Sequence, residues 1–534
     1  MNSKIYLKDW LLFKPYGGQT ATDSYYLKLC NDVKFALVNN MQSFVLQIYI
    51  EKTALNQLAC FLTSYFEDVI SETNIWNSFI RVHKRIYNKP LPFYILDEYY
   101  EKEVNSQDIS FLIWYFLNTI QQEKFIAPYN DFLLETAKKV TSIFDKEWEY
   151  APENKNLKSF YQIDEKEDNF YVARNLIDTV LFKSYLFFPD TFLNLKEEES
   201  DIIEDKKDGK NTMMFLNENR DAMLHNSHTR LLSLTGKEWV SEIVGNKHPL
   251  YSEFLKMSQK IRGYFFYKGQ DQDDVFLEHV ASGKKFKLTK KSFNYSDSLK
   301  KIDTIIFMGI VKWKDEWWFS GIQFQTPFDP DLVLDEKKSF KSKMAVNFLD
   351  YKRKEVEETL EKQFKVFKDL NNGSQIAFLQ SDKIEEFCRA YIDFYNKSLN
   401  LTDKEIKESK ERRRKEGFFI NENESENYFE DFETGLVFFN PKSGIEVVLE
   451  VNSAFKMLNN PYFEKALSED HILRLFMDKS ISTELAMFCI DNCKTKLPFF
   501  NAGVGKLYLE DIDFLLRFWK KNDYHSKPSI SFVG

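Results

Sequence analysis

The stretch GYFFYKGQDQDDVFLEHVASGKKFKLTKKSF (263–293), followed by DTIIFMGIVKWKDEWWFSGIQF (303–324), decides the fold. Gly263–Tyr267, Asp274–Val280, Lys285–Thr289, Asp303–Trp313 and Glu316–Phe324 are short runs dense in β-branched and aromatic residues. Between them lie Lys268-Gly269-Gln270, Ser282-Gly283 and Lys314-Asp315, residue types that turn a chain rather than extend it. The last two runs read as a hairpin. Five short strands in one stretch predict a small antiparallel β-barrel or curled sheet, SH3-like or OB-like, with Pro327 and Pro330 closing it.

On the N-terminal side the period changes to that of helices. Tyr26, Leu29, Val33 and Ala36 share one face after a polar cap at Thr22, and Leu55, Leu58, Leu62, Phe66 and Val69 form a second stripe. Phe111–Leu117 follows Asp108 in a third helix, and Asn169–Phe187 carries Val172, Leu176, Val180 and Leu181 before Pro189. Aromatics on such stripes are core packing, because no converging polar groups accompany them as a cofactor pocket requires. The charge run KEEESDIIEDKKDGK (196–210) lacks apolar periodicity and predicts a solvated linker. Residues 211 to about 260 return to helix. Beyond the strands, the charged residues 335–417 read as helical and end in Lys410–Lys415 (KERRRK). Two strands then flank the turn Pro441–Gly444, and helices follow at Glu469–Met477, Thr483–Asn492 and Leu509–Lys521. The last has acids at its start and bases at its end, complementing the helix dipole. The expected fold is α+β and predominantly helical. Its domains are a helical 1–195, a charged linker 196–210, a helix plus small β module 211–334, a charged helical segment 335–427 and a mixed α+β part 428–534.

Composition narrows the chemistry. The chain has 534 residues, is 43% hydrophobic and 29% charged, and carries a net charge of −9. Aromatics make up 16% of it, against only 17 glycines. A glycine-poor chain has few backbone cradles for phosphates, which weighs against nucleotide-binding α/β enzymes, so no nucleotide cofactor is expected. The mild acidity weighs against bulk nucleic-acid binding while leaving local basic surfaces open. Five cysteines fit reduced thiols in a cytoplasm better than a disulfide framework. No apolar stretch reaches the length of a membrane span and no secretory signal is evident, so a cytoplasmic protein without membrane contact is expected.

Glu218, Asp221, His225 and His228 fall at i, i+3, i+7 and i+10, opposite Leu216, Met223, Leu224 and Leu231. Two imidazoles and two carboxylates suit a borderline divalent metal. A solvated polar helix face accounts for the same residues. Cys489 and Cys493, one turn apart, lack the second pair of a zinc site and read as buried small hydrophobes. Gly503-Val-Gly505-Lys506 lacks the spacing and following hydroxyl of a phosphate loop and reads as a turn entering the last helix. Trp313, Trp317, Trp318, Tyr264 and Tyr267 lie close in sequence to Lys284, Lys285, Lys287, Lys290 and Lys291. Aromatics beside lysines on a small barrel suit single-stranded nucleic acid or peptide, though the same aromatics can simply fill the barrel.

The opening Lys4–Trp10, Pro15-Tyr16 and Thr22–Tyr26, with the closing Leu497–Phe500, Gly503–Lys506 and Leu509–Trp519, resembles an uncharacterised family of bacteroidete cytoplasmic proteins. The resemblance implies a bacterial, intracellular setting and supplies no activity, ligand or site residue. The expected function is that of a non-enzymatic interaction protein with a protein or nucleic-acid partner, with Trp313, Trp317, Trp318, Lys285, Lys287 and Lys290 as its candidate surface. The alternative is a metal-assisted hydrolase or nuclease built on Glu218, Asp221, His225 and His228.

Overall fold

The computed structural model describes residues 4–39, 43–94, 96, 98–121, 124–206, 209, 211–293, 297, 299–399, 402, 404, 405, 407 and 431–529. The fold is α+β and predominantly helical, and the chain divides into two units, 1–350 and 351–534. The expected succession of smaller domains is therefore regrouped.

The first unit opens with a helical part whose main members are Asp23–Val38, Lys52–Ser71, Ser106–Ile120, Asp131–Glu147 and Phe170–Lys183. Ser106–Ile120 is buried at every position from 108 to 119, as a helix apolar all round must be. The aromatic stripes fill this core: Phe66 stacks on Phe144 with centroids 4.6 Å apart, and Phe79 on Phe111 at 5.2 Å. The 196–210 run differs from expectation. Leu193–Asp205 is a helix, entered from a π-helical turn at Phe188–Phe192 in which Pro189 sits near the start, where its missing N–H costs nothing. Glu and Lys are strong helix formers, and a Lys196–Glu199 pair at 2.7 Å supports the first turns. The Asn219 amide donates to Glu198 at 2.8 Å, tying this helix to the next one, Thr212–Asn226. No domain boundary falls here.

Five strands follow: β1 Ile261–Gln270, β2 Asp274–His279, β3 Lys285–Thr289, β4 Ile305–Trp313 and β5 Glu316–Thr326. They close into a barrel in the order β1-β2-β3-β5-β4, with β4 returning to β1. All neighbours are antiparallel except β3 and β5, which meet in parallel at Leu288 and Trp317. This order with a parallel closure is the OB-type arrangement and decides between the two barrel alternatives. The β4–β5 hairpin turns through Lys314 and Asp315 at φ 44° and 68°, the two left-handed residues that match strand twist. Inward residues such as Phe265, Val275, Leu277, Leu288, Met308 and Ile310 form the barrel core, and Val346, Phe348 and Leu349 pack against it. Opposite Met308 and Gly309 the register shifts, leaving Gly321 and Ile322 as a bulge in β5. Gly321 has φ 87°, and a Cβ there would collide with Glu218 and Lys260.

The second unit contains the antiparallel sheet β6-β7-β8, with β6 Ile376–Gln380, β7 Thr434–Asn440 and β8 Gly444–Leu449. Helices Arg353–Leu370 and Ile384–Ser398 pack on it through Phe367, Cys388 and Tyr391. The 335–427 segment is thus neither one domain nor wholly helical. Ile376, Ala377 and Phe378 are consecutive buried residues, and such a short apolar run cannot be told from buried helix by its period. Lys410–Lys415 lies outside the described residues. Helices Ser468–Met477, Thr483–Cys493 and Ile512–Trp519 complete the unit. All five cysteines are free and buried. Among the described residues, no helix is long and apolar enough to cross a membrane.

Candidate functional site

Helix Thr212–Asn226 lies against β5, and the face it turns toward the barrel is its polar one. Glu218, Asp221 and His225 are buried there, whereas Met213 on another side is exposed. The expected polar face is thus buried rather than solvated, while Leu224 of the expected apolar face is buried as well; the polar face is admitted by what the barrel offers. What it offers is Lys260, in the approach to β1, with its ammonium 2.8 Å from Glu218 Oε1 and 2.7 Å from Asp221 Oδ2. Arg174 pairs with Asp221 Oδ1 at 2.6 Å, and Arg262 with Glu218 Oε1 at 3.2 Å. The Ser320 hydroxyl donates to Asp221 Oδ2 at 2.8 Å, and the Ile322 N–H to Glu218 Oε2 at 3.2 Å. All four carboxylate oxygens are thereby engaged.

The charge states follow from these neighbours. Burial opposes ionisation of Asp221, but the Lys260 and Arg174 cations beside it outweigh burial and hold its carboxyl well below the usual range. His225 goes the other way: burial against Phe170 pushes its imidazole down to about 3, so it is neutral. Its Nε2 is 3.3 Å from Ser320 Oγ, whose proton goes to Asp221. The imidazole therefore donates to Oγ and is not placed to receive that proton.

Of the quartet read as metal ligands, Glu218, Asp221 and His225 come together and His228 does not. The helix ends at Asn226, so the i+10 position is not carried on its face, and His228 instead bridges to Thr235. The cation between the carboxylates is an ammonium of the protein itself. Among the described residues, no group of three or more His, Cys, Asp and Glu side chains is arranged to hold a metal ion.

The tryptophan surface also differs from expectation. Trp313 is buried, donates its indole N–H to the Asp168 carbonyl at 3.2 Å and packs on Phe254. Trp318 is buried beside Phe170 and Tyr171, with centroids 6.0 and 6.1 Å away. Trp317 points into the barrel, edge-on to Phe286 at 5.0 Å. Successive strand residues point to opposite faces, so neighbouring tryptophans cannot share one platform. Lys285 and Lys287 are exposed on β3, opposite Glu278 and Phe276, while Lys290 donates to the Asp271 carbonyl. Trp313 and Trp318 anchor the barrel to the helices and Trp317 packs inside it; the lysines stand elsewhere.

An aromatic surface does exist, on other residues. Tyr264, Phe307 and Phe324 stand directly opposite one another across β1, β4 and β5. Their centroids are 5.1 and 5.8 Å apart in succession. Tyr264 and Phe307 are half-buried, and Phe324 is 40% exposed. Arg262, half-exposed, holds its guanidinium 5.1 Å over the Phe307 ring. The cross-strand rows on either side are partly covered, Arg262 staying half-exposed in one and Tyr264 itself packing against the cluster in the other. On one side Gly309 and Ser320 lie by the charge cluster, and on the other Val333 packs on Phe266 and Ile305. Alternation along β1 could have singled out Tyr264, but the Phe307 and Phe324 partners depend on a register set by the β5 bulge. Lys260, Arg174 and Ser320 come from segments whose meeting with Asp221 no local period signals.

Residues 4–280 match the family model described as "Protein of unknown function (DUF3843)". No curated protein and no solved structure matches the chain.

Proposed function

Because that match spans more than half of its length, the chain belongs to the DUF3843 family, and we propose that it is a non-enzymatic interaction protein whose barrel receives a protein or nucleic-acid partner. One observation carries this reading: an in-register aromatic row lies at the barrel surface, half-buried at Tyr264 and Phe307 and 40% exposed at Phe324. Monomeric proteins seldom leave contiguous aromatic surface open without a use for it. The reading places the protein in a bacterial cytoplasm, with support from its five unpaired buried cysteines. The metal-assisted hydrolase alternative has less behind it, since Lys260 and Arg174 already neutralise the carboxylates it needs.

The test compares material that co-purifies with wild type and with a Phe307→Ala/Phe324→Ala variant from the native cells. A partner present with the first and lost with the second is the expected result. Recovery of the same material by both would overturn the surface. Turnover in a hydrolase and nuclease panel supplemented with divalent metals, abolished by Asp221→Asn, would overturn the non-enzymatic reading.

A further inference from the structure

The helical part of the first unit brings two cysteines together, independently of the barrel surface on which the interaction reading rests. Cys30 lies on helix Asp23–Val38 and Cys60 on helix Lys52–Ser71, and the two helices are packed neighbours. The Cys30 S–H donates to Cys60 Sγ at 3.5 Å, and both residues are fully buried. We infer that this pair is an oxidation site, closing to a reversible disulfide that staples the two helices when peroxide rises. A disulfide holds its sulfurs at about 2.05 Å, so each has less than about 1 Å to move. Cys489 and Cys493 do not offer this geometry. One turn apart on a single helix, they hold their Cβ atoms about 5–6 Å apart, beyond the about 3.5–4.5 Å that a disulfide spans. The Cys489 S–H is given instead to the Ala454 carbonyl at 3.2 Å.

The chemistry balances with hydrogen peroxide as the co-reactant. One sulfur, giving up its proton, attacks a peroxide oxygen and breaks the O–O bond. It becomes a sulfenic acid, and the released hydroxide takes up that proton as water. The partner sulfur then attacks the sulfenic sulfur: the S–S bond forms, the S–O bond breaks, and the partner's proton leaves with the hydroxyl as a second water. Two thiols give up two electrons and one peroxide receives them. A thiol without such a neighbour proceeds instead to sulfinic acid, which does not revert. Burial, the Cys30 neighbour and Asp9 push the Cys60 thiol well up, against the nearby Lys14 cation. Lys34, buried one turn beyond Cys30, is a second cation close to both sulfurs. Thiolate is therefore scarce, and the pair answers sustained rather than brief peroxide. In the reducing cytoplasm proposed above, the thiols stay reduced until then. Once formed, the bond closes the chain between residues 30 and 60 and removes freedom from the unfolded state, which stabilises the first unit.

The test exposes reduced full-length protein to millimolar hydrogen peroxide for hours, unfolds it in iodoacetamide and maps tryptic peptides without reduction. Peptide Leu29–Lys34 should appear joined to Thr53–Arg81, two hydrogens lighter than their sum, and dithiothreitol should release both. The melting temperature of the first unit should rise by about 5 °C on oxidation and return on reduction. Cys60→Ala should abolish both the joined peptide and the shift, leaving Cys30 on the path to sulfinic acid. Cys30→Ala breaks the same link from the other helix and replaces that variant if Cys60→Ala does not fold. Cys30 and Cys60 both alkylated, or each ending as a separate sulfinic acid, would overturn the inference. So would a link formed first among Cys388, Cys489 and Cys493. A joined peptide whose protein melts no higher than the reduced form would overturn the staple.

Discussion

Replacing Lys260 by Met removes the cation at the centre of the buried cluster and keeps most of the side-chain volume. The ammonium lies 2.8 Å from Glu218 and 2.7 Å from Asp221, and its side chain is 1% exposed. Without it two buried carboxylates face each other. Breaking a buried ion pair from one side costs about 3–5 kcal/mol. Arg174 still pairs with Asp221, and the half-exposed Arg262 still reaches Glu218, so the low end, about 3 kcal/mol, applies. That is a factor of about 150 in the equilibrium for releasing helix Thr212–Asn226 from β5. Hydrogen exchange reads it directly, because the Ile322 amide donates to Glu218 and is freed when the helix lifts. Its exchange should accelerate about 150-fold, with the barrel core unaffected. Adding Glu218→Gln to Lys260→Met removes the repulsion and should restore most of the protection. The pH response should also change sign. Asp221 is held below the ordinary carboxyl range, so its contribution in wild type is present above the unfolded value of 3.8 and lost as pH falls through the folded one. In Lys260→Met, protonating either carboxylate relieves repulsion, so mild acid should narrow the gap to wild type. Unchanged exchange at Ile322, or no rescue by Glu218→Gln, would refute the lock.

Burial pushes Asp108 up to about 7 from 3.8, against hydrogen bonds donated by Tyr65, Tyr99 and Asn105. A folded value above the unfolded one means stability present below pH 3.8 and lost as pH rises through 7, about 4 kcal/mol in all; Asp108→Asn should flatten the pH dependence of unfolding across that window. Gly321→Ala should lower the first unit's stability by about 1–3 kcal/mol in thermal melts, since φ 87° disfavours alanine and its Cβ meets Glu218. Trp318→Ala should cost about 3–5 kcal/mol in the same melts by emptying the anchor beside Phe170 and Tyr171, whereas the exposed Phe324→Ala should shift them little.

The barrel was legible because its strand signals are local: β-branched and aromatic runs ended by Gly, Asp and Lys turns gave five strands, and Lys285–Thr289 to the residue. The helical stripes were legible for the same reason, each repeating a spacing that a core must satisfy. Charge misleads in two different ways. The described residues of the 196–210 run are solvated, but Leu193–Asp205 is a helix rather than a linker, and the Glu218–Asp221–His225 face is buried rather than solvated. Lys and Glu build helices well, however, and a buried lysine can bring carboxylates inside. The tryptophan surface does not form because Trp317 and Trp318, adjacent in sequence, point to opposite faces of β5. Phe307 and Phe324 stayed hidden because their pairing requires the two-residue bulge at Gly321, which only the closed barrel reveals.

The match to the family ends at residue 280, just past β2, and the barrel argues that this is not a folding boundary. β2 needs β3, at 285–289, along its second edge, and β1 needs β4, at 305–313. A chain stopped at 280 would expose both edges of a two-stranded ribbon, a form marginally stable at best and prone to pairing with other chains. It would also leave Phe265, Tyr267, Val275 and Leu277 without the strands that cover them. The helical part would suffer as well. Asp221 would lose Ser320, Glu218 would lose the Ile322 amide, and Phe170 would lose Trp318. The self-sufficient piece runs to 350, where Val346, Phe348 and Leu349 pack against the barrel core. A 1–350 fragment should therefore purify as a soluble species with native near-ultraviolet dichroism from its buried tryptophans, and a 1–280 fragment should aggregate. A soluble, cooperatively melting 1–280 would show that the helices fold without the barrel, and the charge cluster would then be an ornament of the fold rather than one of its joints.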